Sequence, residues 1–193
     1  MKRLNNAGLS LVELLIAMAI SSIVIVSLAF ILTSTTRQYD YVENDTTLQS
    51  EAQIIMNHIS DKALEGNNVS YDASKQLLTV YHTNLPDTPG GSAAFGRREL
   101  IWYKQDINKM YLFIADTETE LTAAETVINN NMNPVFDNLM GEYVTEFTCE
   151  GADETGLTGT KVKVKIKLER NGMEYELEDE IALRNRIIAI ETS

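Results

Sequence analysis

Along this chain the spacing of apolar residues changes its period, and each change marks a different element. From Leu9 to Leu32 the side chains are apolar all round (LSLVELLIAMAISSIVIVSLAFIL), and Glu13 is the one charge in the run. A run of this length at about 1.5 Å per residue covers the hydrocarbon core of a bilayer, so it predicts a membrane-spanning helix. From Thr33 to Glu65 there is neither Pro nor Gly, and Leu48, Ala52, Ile55, Met56, Ile59 and Ala63 recur at three- and four-residue steps. That is one stripe of a helix, so the greasy segment is expected to continue as an amphipathic rod. About 57 residues in all give a helix of roughly 85 Å. Gly66-Asn67-Asn68 is the expected stop, with Gly just past the helix end.

Beyond Asn68 the period falls to two. Val69–Tyr71 and Gln76–His82 read as a hairpin around Asp72–Lys75, and Leu100–Lys104 with Met110–Ala115 as a second one around Gln105–Lys109. Asn84–Gly96, with Pro86, Pro89, Gly90 and Gly91, reads as a surface loop. A short helix is expected at Thr122–Val127, and Pro134–Met140 reads as irregular. Tyr143, Thr145, Phe147 and Cys149 alternate as one face of a strand. The last hairpin has the strongest signals. Val162, Val164, Ile166 and Leu168 alternate with lysines up to Asn171-Gly172, a type I′ turn signal. Counting outward from that turn pairs Arg170 with Met173 and sets Lys167, Lys165 and Lys163 opposite Glu176, Glu178 and Glu180.

The carboxylate in the apolar run needs a reason, because an ionised Glu there costs about 2.5–3.5 kcal/mol even on lenient insertion scales. A cut between Gly8 and Leu9 would supply one, since the new ammonium of Leu9 would lie one helical turn from Glu13. A basic start (Met1, Lys2, Arg3), Gly8, then an apolar run with Glu as its fifth residue resembles the N-terminus of type IV prepilins and type II secretion pseudopilins. The resemblance implies that a prepilin peptidase cuts after Gly8 and N-methylates Leu9, and that Glu13 neutralises the amine of a neighbouring subunit during assembly. The family's usual first residue is Phe, and here it is Leu9. A secretory signal peptide ending near Ser27-Leu28-Ala29 and a plain signal anchor are the bland alternatives. The first would carry Glu13 in its core, and the apolar run outlasts its cut site.

The resemblance implies an α+β pilin fold. Its long N-terminal helix, with the apolar half in the membrane or filament core, packs on an antiparallel β-sheet domain. The parts are a leader at 1–8, a transmembrane or filament-core helix at 9–32, its amphipathic continuation at 33–66 and a β-rich extracytoplasmic domain at 67–193. The implied function is a structural minor pilin or pseudopilin, acting in initiation or at the tip. Its partners would be the prepilin peptidase, other pilins or minor pilins and the cytoplasmic membrane. Phe30 stands where major pilins usually carry Pro, and Ser22 where they carry a helix-loosening Gly. Ile181-Ala182-Leu183-Arg184-Asn185 is similar to the ending of W-type minor pilins and J-type minor pseudopilins. A membrane-anchored binding or sensor domain that never assembles is the rival.

Charge and chemistry narrow the picture further. Among 193 residues, 16 Lys and Arg face 28 Asp and Glu, a net charge of -12, which argues against nucleic acid as a partner. Lys2 and Arg3 precede the apolar run while Asp40, Glu43 and Asp45 follow it, so the N-terminus is expected inside and the bulk outside, before assembly into a cell-surface filament. Cys149 is the single cysteine and admits no intramolecular disulfide; in a strand, away from a base, it reads as a buried residue. His58 and His82 belong to no catalytic or metal motif, and neither an enzyme nor a cofactor is expected. Asp116, Glu118, Glu120, Glu125 and the Asp153-Glu154 loop lack the ligand spacing of a calcium loop, so no metal is expected.

Overall fold

The computed structural model describes residues 10–82, 95–135, 138–158 and 160–183. They fall into two compact units, Met1–Glu43 and Asn44–Ser193. Helix α1 runs Leu11–Glu65. The first unit is its apolar half. The described apolar side chains between Leu11 and Leu32 are exposed, from 51% at Val24 to 79% at Leu11.

The second unit begins within the amphipathic half of α1. Its buried residues are Leu48, Ala52, Ile55, Met56, Ile59 and Ala63, the stripe that the spacing predicts. Strands β1 (Asn68–Asp72), β2 (Leu77–Tyr81), β3 (Arg98–Lys104), β4 (Lys109–Ala115) and β5 (Leu139–Gly141) form an antiparallel sheet in the order β1-β2-β3-β4-β5. Helix α2 (Glu118–Asn129) follows β4. Strands β6 (Val144–Glu150), β9 (Lys161–Arg170) and β10 (Met173–Ala182) make a second sheet in the order β10-β9-β6. The short pair β7 (Ala152–Asp153) and β8 (Gly156–Leu157) is tied to β1, where the Leu157 N–H donates to Asn68 Oδ1 at 3.1 Å.

Both sheets close on the α1 stripe. Ile101, Tyr103 and Met110 of the first sheet and Val144, Phe147, Val162, Val164, Ile166 and Leu168 of the second share one core with it. The other face of the first sheet, through Leu100, Trp102, Tyr111 and Phe113, packs under Leu121, Ala124 and Ile128 of α2. Strand β3 is therefore covered on both faces. Two glycines mark close approaches. A Cβ on Gly141 would run into Ile55 of α1, and one on Gly66 would run into Val80 of β2. Gly66 does not adopt the left-handed backbone expected of a helix-ending glycine; its role is room for Val80.

The last hairpin has the expected register. Arg170 faces Met173, Leu168 faces Tyr175, and Lys163, Lys165 and Lys167 face Glu180, Glu178 and Glu176. The ion pairs, however, run diagonally. Lys163 reaches Glu178 at 2.9 Å, Lys165 reaches Glu176 at 3.1 Å and Lys167 reaches Glu174 at 2.8 Å. Strand twist brings the diagonal neighbour within reach of a long side chain.

Other expectations need correcting. Helix α2 is longer than Thr122–Val127, because Thr117 caps it. The Glu120 N–H donates to Thr117 Oγ1 at 3.3 Å, and the Thr117 N–H donates to Glu120 Oε2 at 3.1 Å. Part of Pro134–Met140 is strand, since β5 pairs with β4. The alternation ending at Cys149 breaks at a bulge between Val144 and Glu146, so Val144 faces the core instead of Thr145. Most of the Asn84–Gly96 loop, and Arg184 and Asn185, lie outside the described residues.

Strand β3 carries a buried charge near each end. The Glu99 carboxylate is fully buried, with Arg97 Nη2 at 2.7 Å, Lys62 Nζ at 3.3 Å and His82 Nε2 at 3.5 Å. Lys62 comes from the last turn of α1, so this cluster ties the helix end to the sheet. Glu99→Gln frees cations that can turn to water, and it is expected to cost about 1–3 kcal/mol. Replacing Lys62 and Arg97 together by Met leaves a buried carboxylate with His82 alone and should cost more, about 3–5 kcal/mol. Urea unfolding of the full chain in detergent, followed by the Trp102 fluorescence, would check the order; a costlier Glu99→Gln would contradict it.

Candidate functional site

The head of α1 holds the charged residue of the apolar run. Ser10 is its N-cap, and the Leu14 N–H donates to the Ser10 carbonyl at 3.1 Å. The Ser10 N–H donates to Glu13 Oε2 at 3.0 Å, and the Glu13 N–H donates to Ser10 Oγ at 3.2 Å. This is a reciprocal capping box. It satisfies two backbone donors that the first turn cannot pair internally, and it places a carboxylate at the positive end of the helix dipole. Sequence reasoning took Glu13 as the partner of an amine and passed over Ser10, although S-x-x-E at the start of an apolar run is the signal for such a box. Gly8 and Leu9 lie outside the described residues.

Several hydroxyls in and just after the run bond back to carbonyls of the helix. Ser22 donates to the Ala19 carbonyl at 2.7 Å, Ser27 to Ile23 at 2.8 Å, Thr33 to Ala29 at 2.9 Å and Thr35 to Ile31 at 2.8 Å. Polar groups paired in this way add little cost in a hydrocarbon setting. Helix α1 is long and apolar enough to cross a membrane. What the segment can do chemically is limited: it offers one carboxylate beside a helix start and an otherwise apolar surface.

The remaining candidates serve the fold. His58 is exposed on α1, and His82 faces Glu99. Glu120 completes the α2 cap, Asp116 lies 3.7 Å from Arg97, and Asp153 accepts from the Thr155 and Gly156 amides. Among the described residues no group of His, Cys, Asp and Glu could hold a metal ion. Cys149 is buried in β6. Burial, and secondarily the charge of Glu150, push its thiol up to about 12.

Residues 3–29 match a family model described as the prokaryotic N-terminal methylation motif. No curated protein and no solved structure matches the chain. The match ends within the apolar half of α1, and it supports kinship with type IV pilins and pseudopilins. Precursors with this motif are processed by prepilin peptidase and assemble with other pilins, and the family is structural and not enzymatic. The apolar helix and the motif support membrane anchoring.

The state of Cys149 is open to measurement. At pH 8 a thiol reagent is expected to modify it at the rate of unfolding and no faster. Stability should also fall as pH climbs from 9 to 12, because the unfolded thiol loses its proton near 9.0 and the folded one retains it to about 12. Cys149→Ala should flatten that decline. Tyr71, raised mainly by burial from 10.0 to about 12, should keep part of it. Rapid labelling of the folded chain would place the thiol at the surface instead.

Proposed function

We propose that this chain is a minor pilin or pseudopilin, cut after Gly8, methylated on the new amine of Leu9, held in the cytoplasmic membrane and then built into a filament. The N-terminus lies inside and the acidic domain outside before assembly. The observation that carries the reading is the methylation-motif match, which falls on the stretch of α1 whose large apolar side chains, from Leu11 to Leu32, are exposed among the described residues. Such a surface needs lipid or the helices of other subunits. Glu13 then has a second role. Its carboxylate, already held at the helix head, neutralises the ammonium of a neighbouring subunit's Leu9.

A minor role, in initiation or at the tip, fits Phe30 and Ser22 at positions where major pilins favour Pro and Gly. The Ile181–Asn185 ending leans toward the W-type pilins and J-type pseudopilins. Mass spectrometry of native protein should find Leu9 as the first residue, with one methyl group on its amine. An intact Met1, or a start at Phe30, would sink the processing step.

Substitutions at Glu13 separate its local role from its assembly role. Gln can fill the same place in a capping box, so Glu13→Gln should keep the helix start and lose only the charge. A buried ammonium left without its partner costs about 3–5 kcal/mol, and about 1.4 kcal/mol is tenfold in an equilibrium. Both Glu13→Gln and Glu13→Ala should therefore insert in the membrane and be cut, yet enter filaments roughly a hundredfold less or worse. The readout is the mutant to wild-type ratio in sheared filaments at equal membrane levels. Normal incorporation of Glu13→Gln would show that the charge is unused and favour an anchored domain that does not assemble.

A further inference from the structure

At the end of β3 opposite Glu99, Lys104 carries the second buried charge. Its side chain is 1% exposed, and its Nζ lies 5.3 Å from the centre of the Trp102 ring. Helix α2 ends above it. Asn131 takes the left-handed backbone at φ 49°, its N–H donates to the Ile128 carbonyl at 3.1 Å, and the Met132 N–H donates to the Val127 carbonyl at 2.9 Å. This is a Schellman ending, in which Asn replaces the usual Gly. It fixes the Asn131 side chain over Lys104. Lys104 Nζ lies 2.6 Å from Asn131 Oδ1 and 2.8 Å from the Asn131 carbonyl. Asp106, in the β3–β4 turn, touches both partners: Oδ2 is 3.0 Å from Lys104 Nζ and 3.4 Å from Asn131 Nδ2.

A primary amine, a carboxamide and a carboxylate that reaches the nitrogens of both are the reactants and the proton carrier of a transamidation. We propose that Lys104 and Asn131 join in an intramolecular isopeptide bond, with Asp106 moving the protons. Asp106 takes a proton from the Lys104 ammonium, and the free amine attacks Asn131 Cγ, forming the Nζ–Cγ bond. Asp106 returns its proton to Nδ2, then takes a second one from the attacking nitrogen and passes it to Nδ2 as well. The Cγ–Nδ2 bond breaks and nitrogen leaves as ammonium. Nothing is oxidised or reduced, and Asp106 ends ionised as it began.

The surroundings favour the step. The buried Lys104 side chain is held against the amide of Asn131, which stands with Asp106 on the exposed side, and a held geometry of this kind replaces an encounter in solution. The leaving group has an exit, because Asp106 is half exposed and a groove of about 540 Å³ lined by Lys104, Asp106 and Asn131 opens there. The product would staple the end of α2 to the β3–β4 hairpin. The same contacts would also serve a plain ion-pair clamp, since a cation suits a helix C-terminus. Only the covalent product separates these two readings.

The test is the intact mass of the full-length chain purified in detergent, followed by protease digestion. The isopeptide requires a mass one ammonia below that of the processed sequence, no cleavage after Lys104, and a branched peptide joining the Lys104 and Asn131 segments. Asp106→Ala alters a half-exposed side chain and should stay folded by circular dichroism while losing the branch. Asn131→Ala should lose it too, and should melt at a lower temperature than wild type. Two results would overturn the proposal. One is a full mass in wild type, which leaves a clamp. The other is an ammonia loss that persists in Lys104→Arg without a branched peptide, which marks ring closure of Asn131 onto its own backbone.

Discussion

Burial of the Leu48–Ala63 stripe is the interaction on which the folded unit depends. Leu48, Ile55 and Ile59 are exposed by no more than 1%, and side chains of this size contribute about 1.5–3 kcal/mol each when fully buried. Among the described residues neither sheet has another apolar layer on that side. The five-stranded sheet brings Ile101, Tyr103 and Met110 to the stripe, and the three-stranded sheet brings Phe147, Val164 and Ile166. Gly141 and Gly66 follow from this constraint. Where β5 passes over Ile55, and where the helix end meets Val80, a Cβ on the glycine would run into the facing Ile55 or Val80 side chain. The helix thus has two chemistries in one element, an exposed apolar surface and then a single stripe that organises a domain.

What the sequence revealed followed how many independent signals agreed at a position. The last hairpin was legible in full register because turn, apolar face and charge all point to the same pairing. Its ion pairs were not legible in detail, because counting assumes a flat sheet and a twisted one favours diagonals. The pairs are also solvent-exposed, so they follow the register and do not set it. Helix α2 was under-read at its start, where Thr117 and Glu120 form a cap that the apolar spacing alone does not show. The bulge before Phe147 was illegible for another reason. An extra residue in β6 changes which parity faces inward, and only the partner strand shows where it sits.

At the N-terminus the same local rule went unread. Ser10 and Glu13 form a box of the same type as Thr117 and Glu120, with the same spacing. In α2 that box is ordinary helix chemistry in a water-facing turn. In the apolar run it matters more, because a carboxylate among lipid-like residues is costly unless its oxygens accept hydrogen bonds. Capping gives Glu13 a local reason to be tolerated. It does not remove the charge, so the capped carboxylate can still pair with a cation brought from outside the chain.

The buried charges at the ends of β3 show how an acidic domain handles ions it must cover. Glu99 is met by the long side chains of Lys62 and Arg97, which come from separate segments and can adjust. Lys104 is met by short groups fixed by backbone geometry, Asn131 after its helix ending and Asp106 in its turn. A flexible partner lets a buried ion pair tolerate motion between elements, whereas a rigid one holds two atoms at one distance. That difference is why the Glu99 cluster reads as a tie between α1 and the sheet, and why the Lys104 cluster is arranged as chemistry requires, with the nucleophile, the amide and the proton carrier in direct contact.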